Sequence, residues 1–398
     1  MPEVLSMSQK ERITHQVICQ LATGQITASE AARTLGISSR HVWRLLARYR
    51  SHGDAAFVHQ ARGRPSNRAF APTVRAHVLE LFQQRYADYG PTLLSERLFE
   101  FHGYMIDPET LRRWLLAATL WTRARKGRRH RRRRPRRAEL GQMVQIDGSH
   151  HAWFEDRGPA CCLFVIIDDA TNHSYFRFAP EESAHEALVT LRAYVERHGA
   201  PHQVYCDRHS VYWNDRRPTD FARSVERLGG RMIYAHSPQA KGRVERANRT
   251  HQDRLVKALR EQNITTIAQA NCFLDSTYLA VHNARFARTT PVLDVHRSIA
   301  HQDLNGIFCF EDTRCVKNDM TFQYQSQFYQ ILPTHGLRPV PRQEVVIRHW
   351  LDGSMHVLWR GEELKVLPIE ERPKVASSRG GYPKPTHPWN GRKVGRAQ

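Results

Sequence analysis

Asp147, Asp207 and Glu245 are the residues whose type and setting best suit chemistry. Asp147 closes the apolar run Met143-Val144-Gln145-Ile146, and Asp207 closes Val204-Tyr205-Cys206, so each acid falls where a buried strand opens onto a loop. Glu245 follows the turn signal Ser237-Pro238-Gln239-Ala240-Lys241-Gly242-Arg243 and lies inside the helix after it. The same helix face carries Asn248, Arg249 and Gln252, polar groups able to grip a phosphate. Carboxylates gathered in one cleft repel one another and take up protons unless divalent cations stand between them. Two Mg²⁺ ions, with Mn²⁺ as an expected substitute, can stabilise both the attacking and the leaving oxygen of a phosphodiester. Chemistry of that kind needs no serine or tyrosine nucleophile.

Other acids compete for this role. Asp168-Asp169 also follows an apolar run, but consecutive strand residues point to opposite faces, and the pair reads as turn capping. Glu155 and Asp156 precede Arg157-Gly158-Pro159 in a hairpin-like turn and are expected to be solvated. His150, His151 and His209 flank the aspartates. In a chain with 23 histidines such neighbours arise by chance, and phosphate contact fits them better than metal ligation.

Charge names the partner. Lys and Arg outnumber Asp and Glu by 60 to 39 in 398 residues, a net charge of +21, which points to a polyanion and first to double-stranded DNA. The seven cysteines (19, 161, 162, 206, 272, 309 and 315) form no CxxC pair. They read as small buried hydrophobes and argue against disulfides and structural zinc. No apolar run approaches the ~20 residues of a membrane span, so a soluble cytosolic protein is expected, and with this charge one associated with the nucleoid.

The motifs Asp147-Gly148-Ser149, His151-Ala152-Trp153-Phe154-Glu155-Asp156-Arg157-Gly158-Pro159, Ile167-Asp168-Asp169-Ala170-Thr171 and Asp207-Arg208-His209-Ser210-Val211 form a specific set with Ser237 to Thr250. Together they resemble the DDE transposases of the retroviral-integrase superfamily, and more closely the ISNCY group of bacterial insertion sequences. The resemblance spans almost the whole chain. It implies an RNase H-like core with Asp147 on the first strand, Asp207 after the fourth and Glu245 on the helix after the fifth. Many relatives follow the second Asp with Asn-Gly, whereas this chain has Arg208-His209, so no Asn function is transferred to Arg208.

The elements that must position these residues make a multidomain α/β chain. Residues 1–62 read as a helix-turn-helix: Ile13, Val17, Ile18 and Leu21 make a first helix, Thr27 caps a second, Gly36 turns, and Ser38 caps a third. Arg40, His41, Arg44 and Arg48 lie on the outward face of the third helix, suited to a major groove. Arg62 and Arg64 form a basic hook. Residues 68–121 read as a second helical reader with Val78, Leu94, Leu98 and Phe101 inside. Asp107-Pro108 caps a recognition-type helix that carries Arg112 and Arg113. Eleven of the fifteen residues from Arg123 to Arg137 are Arg or Lys, Arg131, Arg132 and Arg133 among them, so 122–138 reads as a phosphate-binding linker. Residues 139–286 are expected to form the catalytic core, a mixed five-stranded sheet with strands at Gln142–Asp147, Leu163–Asp168, Tyr175–Ala179, Gln203–Cys206 and Arg231–Tyr234. Residues 287–312 are a linker, 313–370 an SH3-like β-barrel, and 371–398 a basic disordered tail. Lys241, Arg243, Asn248 and Arg249 complete the expected DNA contacts. The function expected is binding of terminal inverted repeats and metal-dependent cleavage and strand transfer by a homodimer or larger assembly. A helix-turn-helix repressor and an RNase H-like nuclease without strand transfer are the alternatives.

Overall fold

The computed structural model describes residues 6–59, 69–122, 135–235, 242–333, 339 and 341–370. The expectations for Arg62, Arg64, Arg131, Arg132, Arg133, Lys241 and the tail lie outside them. The chain forms two compact units, residues 1–127 and 128–398.

The first unit holds two helical clusters. Helices α1 (Gln9–Ala22), α2 (Ala28–Leu35) and α3 (Ser39–His52) close over Val17, Ile18, Ala31, Val42 and Leu46. Thr27 caps α2 in a capping box with Glu30, Gly36 ends it at φ 64°, and Ser38 caps α3, so the local chemistry fixes both turns of the motif. Ala31 is fully buried, and its small side chain lets the helices approach. Ile13, expected inside, is half exposed. The second cluster, α4 (Pro72–Arg85), α5 (Pro91–His102) and α6 (Pro108–Ala117), opens each helix on a proline and packs Val78, Phe82, Leu94, Leu98, Leu111 and Leu115. Phe101 departs from the expected core. It lies at the surface with the guanidiniums of Arg85 and Arg97 each 5.8 Å from its ring.

The second unit is built on a five-stranded sheet. Its elements are β1 (Val144–His151), β2 (Cys161–Asp168), β3 (Ser174–Ala179), α7 (Ala184–His198), β4 (Gln203–Cys206), α8 (Asp220–Arg227), β5 (Arg231–Tyr234) and α9 (Val244–Glu261). The spatial order is β3-β2-β1-β4-β5, with β1, β2 and β3 antiparallel and β4 and β5 joined in parallel beside β1. This is the RNase H-like arrangement. Strand β2 is buried along its whole length, which explains its unbroken apolar run. Strand β1 continues past Asp147 to His151 because its partner continues to Cys161, so Asp147 stands in mid-strand opposite Val165 and not at a strand end. The polar run Gly148-Ser149-His150-His151 concealed this.

After α9 the chain runs through α10 (Ile267–Phe273), a π-helical turn (Leu274–Tyr278) and α11 (Leu279–Phe286). Following α12 (Leu304–Ile307) come β6 (Cys309–Cys315), β7 (Thr321–Tyr324), β8 (Gln327–Ile331), β9 (Glu344–Trp350), β10 (Met355–Trp359), β11 (Glu362–Leu364) and β12 (Val366–Ile369). They form two antiparallel sheets, β11-β10-β9-β6 and β12-β8-β7, around one core of Val316, Phe322, Ile331, Val345, Ile347 and Val357. Among the described residues the strands do not close into a barrel. Thr321 to Phe328 forms a hairpin, because Gln325 and Ser326 turn at φ 46° and 65°. Among the described residues no helix is long and apolar enough to cross a membrane.

Candidate active site

Strand register brings the two aspartates together. Val144 and Gln145 on β1 pair in parallel with Val204 and Tyr205 on β4, so two residues further along both strands Asp147 stands beside Asp207. Paired residues of parallel strands share a face, and both carboxylates are half-buried at one end of the β1–β4 seam. Asp207 also shapes its own turn, accepting a hydrogen bond from the His209 amide at 3.0 Å.

Helix α9 is tied to this seam by side chains. Asn248 donates its Nδ2–H to Asp147 Oδ2 at 3.0 Å, and Gln252 donates to Ser149 Oγ at 3.4 Å. Glu245 sits one turn before Asn248, in the first helical turn and exposed. Asn248, expected as a DNA contact, is thus enclosed, and its Oδ1 has no partner among the described residues. A buried acceptor beside a carboxylate seeks a donor, such as a water held by a cation.

A second anchor holds the start of α9. Asp169, fully buried, accepts from Gln145 Nε2 at 2.8 Å and from the Arg137 amide at 2.9 Å, and pairs with the Arg243 guanidinium. Gln145 precedes Asp147 by two residues and Arg243 precedes Glu245 by two, so one carboxylate ties the strand that bears Asp147 to the start of the helix that bears Glu245. Arg243, expected to face DNA, points inward here. Asp168 does cap its turn, accepting from the Thr171 amide at 2.8 Å and the Gly141 amide at 3.0 Å, whereas Asp169 does not. Glu155, expected in solvent, pairs with Arg260 and Arg157.

Of the remaining expected residues, Arg40, His41, Arg44 and Arg249 are exposed. Arg48 is exposed but donates to the Ala56 carbonyl at 2.9 Å. Arg112 and Arg113 both pair with Glu109, whose carboxyl the Arg112 hydrogen bond holds down at about 2. His150 meets Glu182 at 3.0 Å, His151 packs edge-on to Trp153, and Arg208 lies 5.4 Å from the Trp213 ring.

Sequence reasoning missed Glu182, Tyr212 and Trp43. An ideal Cβ at Gly148 would come within 2.4 Å of the Glu182 carboxyl carbon, so a glycine inside a strand was the available signal for a close neighbour. Tyr212 is enclosed with its hydroxyl unpartnered among the described residues. Burial raises its pKa well above the usual range, and the charges of Glu182, Asp147 and Asp207 add to the rise. Trp43 is 55 % exposed between Arg40 and Arg44 on α3.

The sheet order defines an RNase H-like core, and a helix-turn-helix precedes it in the chain. Homeodomain-like domain models match residues 8–58 and residues 41–115. The chain is 38% identical over 384 residues to the Sinorhizobium fredii protein named "Putative transposase y4bF", covering 94% of this chain and 84% of that protein. It is 26% identical over 435 residues to the "Transposase for insertion sequence IS1202" of Streptococcus pneumoniae, covering 94% of this chain and 92% of that one. It also aligns with the HTLV-2 integrase catalytic core domain solved in complex with magnesium, at 18% identity and TM-score 0.28 over 35% of this chain and 91% of that chain. The chain belongs to the insertion-sequence transposases of the DDE/integrase superfamily, enzymes that bind and recombine DNA.

Proposed function

We propose that Asp147, Asp207 and Glu245 are the catalytic acids and together hold two Mg²⁺ ions, with Mn²⁺ as a working substitute. The observation that supports this is the register placing Asp147 beside Asp207, joined through Asn248 to the helix that bears Glu245. The donor set is all oxygen, which suits a hard divalent cation, and the orphaned Asn248 Oδ1 supplies an acceptor for water in the same enclosure. Bound there, the ions supply charge stabilisation at both the attacking and the leaving oxygen of a phosphodiester.

The chain's own residues do the rest. Asn248 orients the Asp147 carboxylate, and Asp169 holds the ends of β1 and α9 in register through Gln145 and Arg243. Arg249, on the exposed face of α9, is placed to contact backbone phosphate. Helix α3 reads the terminal inverted repeats in a major groove with Arg40, His41 and Arg44, and residues 1–62 and 68–121 act as separate readers joined to the core at 139–286 by the Arg-rich linker. Residues 313–370 form a separate β module, and the active species in the bacterial cytosol is a dimer or larger assembly that holds two ends.

The test is strand transfer in vitro. The full chain with a duplex ending in the element's repeat, a second duplex as target and Mg²⁺ should yield a joined product dependent on the metal. Cleavage without joining supports a nuclease, and binding without cleavage supports a repressor.

A further inference from the structure

The face of β1 opposite Asp147 carries a second constellation. Residues 148 and 150 alternate away from 147, so Gly148 and His150 look to the other side of the sheet. There His150 pairs across the strands with Cys162, and Glu182, arriving just ahead of α7, lays its carboxylate against Gly148. The His150 nitrogen, the Cys162 thiol and a Glu182 oxygen lie within 4.8 Å of one another. Cys162 is enclosed, Glu182 is mostly buried, and His150 opens to solvent. Among the described residues it is the one group of three His, Cys, Asp or Glu side chains whose ligand atoms approach one another this closely.

We propose that His150, Cys162 and Glu182 form a binding site for a borderline-soft divalent transition ion, zinc in the cell, distinct from the oxygen-lined acid cluster on the opposite face. The ligand types decide the ion. Imidazole, thiolate and one carboxylate suit zinc and its neighbours and disfavour magnesium, which takes oxygen. Three protein ligands leave a fourth position for water on the exposed side. A further observation supports the site. Strand β1 gives up a side chain at 148 to admit the Glu182 carboxylate, a close approach that a His150–Glu182 surface pair would not require. Burial pushes the Cys162 thiol up to about 12, so an arriving ion must expel that proton. Sequence spacing hid this site because its ligands meet through cross-strand register, and not through a CxxC pair.

The experiment uses the full chain carrying Asp147→Asn, Asp207→Asn and Glu245→Gln, with Mg²⁺ in excess, titrated with Co²⁺ alone as a spectroscopic probe. A thiolate-to-cobalt charge-transfer band should saturate at one ion per chain and bleach on adding Zn²⁺. Cys162→Ser should abolish it, His150→Gln should weaken binding roughly tenfold or more, and Cys161→Ser should leave it intact. A titration without a thiolate band, or a band unchanged by His150→Gln, overturns the site. The His150 variant changes an exposed side chain, so the question is decided even if Cys162→Ser misfolds.

Discussion

Helix α3 and the β1–β4 seam present function in opposite ways. On α3 the working face is what folding leaves over: Val42 and Leu46 are buried, and Arg40, His41 and Arg44 stand in water. At the seam the working groups are part of the fold: Asn248 reaches Asp147, and buried Asp169 holds Gln145 and Arg243. Substitutions on α3 should therefore change affinity and spare stability. At the seam a substitution that keeps a side chain's shape and removes only its charge should separate the two, and the acids are the sharpest case. Asp147→Asn, Asp207→Asn or Glu245→Gln should each lower strand cleavage by at least ~10³-fold, as expected when a site loses charge stabilisation of its transition state. Binding to the repeat should be unchanged in gel-shift titrations. Retained nicking in any variant removes that residue from the site.

Asp169→Asn tests the anchor itself. The amide cannot accept from both the Arg137 amide and the Arg243 guanidinium while satisfying Gln145, and it removes the negative charge that faces the largely buried Arg243. Breaking a buried pair from one side costs ~3 kcal/mol. A fall in the thermal midpoint should accompany a loss of cleavage, and the Mg²⁺ concentration for half-maximal activity should rise as Glu245 loses its register. Unchanged metal dependence in a folded variant would reduce Asp169 to a stability residue.

Acid should weaken the same unit. His251 and His282 lie 4.6 Å apart beside Phe176, and burial lowers both pKa values, that of His282 to about 4. The unfolded chain takes up these protons near pH 6.5 and the folded chain does not. Stability is therefore complete above that pH, falls as the pH drops below it, and for His282 levels off near 4. Between pH 7 and 5 His282 should cost about 2 kcal/mol, measured as the shift in urea midpoint, and His251 adds to the loss in the same direction. His251→Leu should remove its share of that loss, and a pH profile unchanged in this variant would contradict the assignment.

How far these features could be read in sequence follows how local they are. The caps at Thr27, Ser38 and Asp107 and the strands Gln203–Cys206 and Arg231–Tyr234 were legible to the residue, because a cap or a short bounded apolar run is decided within a few positions. The length of β1 was not, since Gly148 to His151 are strand only because Cys161 to Phe164 lie alongside. Asp169 looked like a turn cap because its partners Arg137 and Arg243 lie 32 and 74 residues away. The hairpin at Gln325-Ser326 lacks the glycine that usually marks such a turn.

The smallest expected effect compares the two recognition-type helices directly. Both α3 and α6 carry paired basic residues after a capped start, yet Arg112 and Arg113 share Glu109, which leaves the first turn of α6 nearly neutral. Arg40 and Arg44 have no acidic partner among the described residues, so each can replace a counterion on a phosphate. Arg44→Ala should weaken binding to the repeat by roughly tenfold and reduce the slope of log affinity against log salt by about 1. Arg112→Ala should change either by much less, because the Glu109 pair must first be broken for Arg112 to reach DNA. Equal effects in the two variants would mean that α6 opens that pair on binding, and that both helices are readers in the same sense.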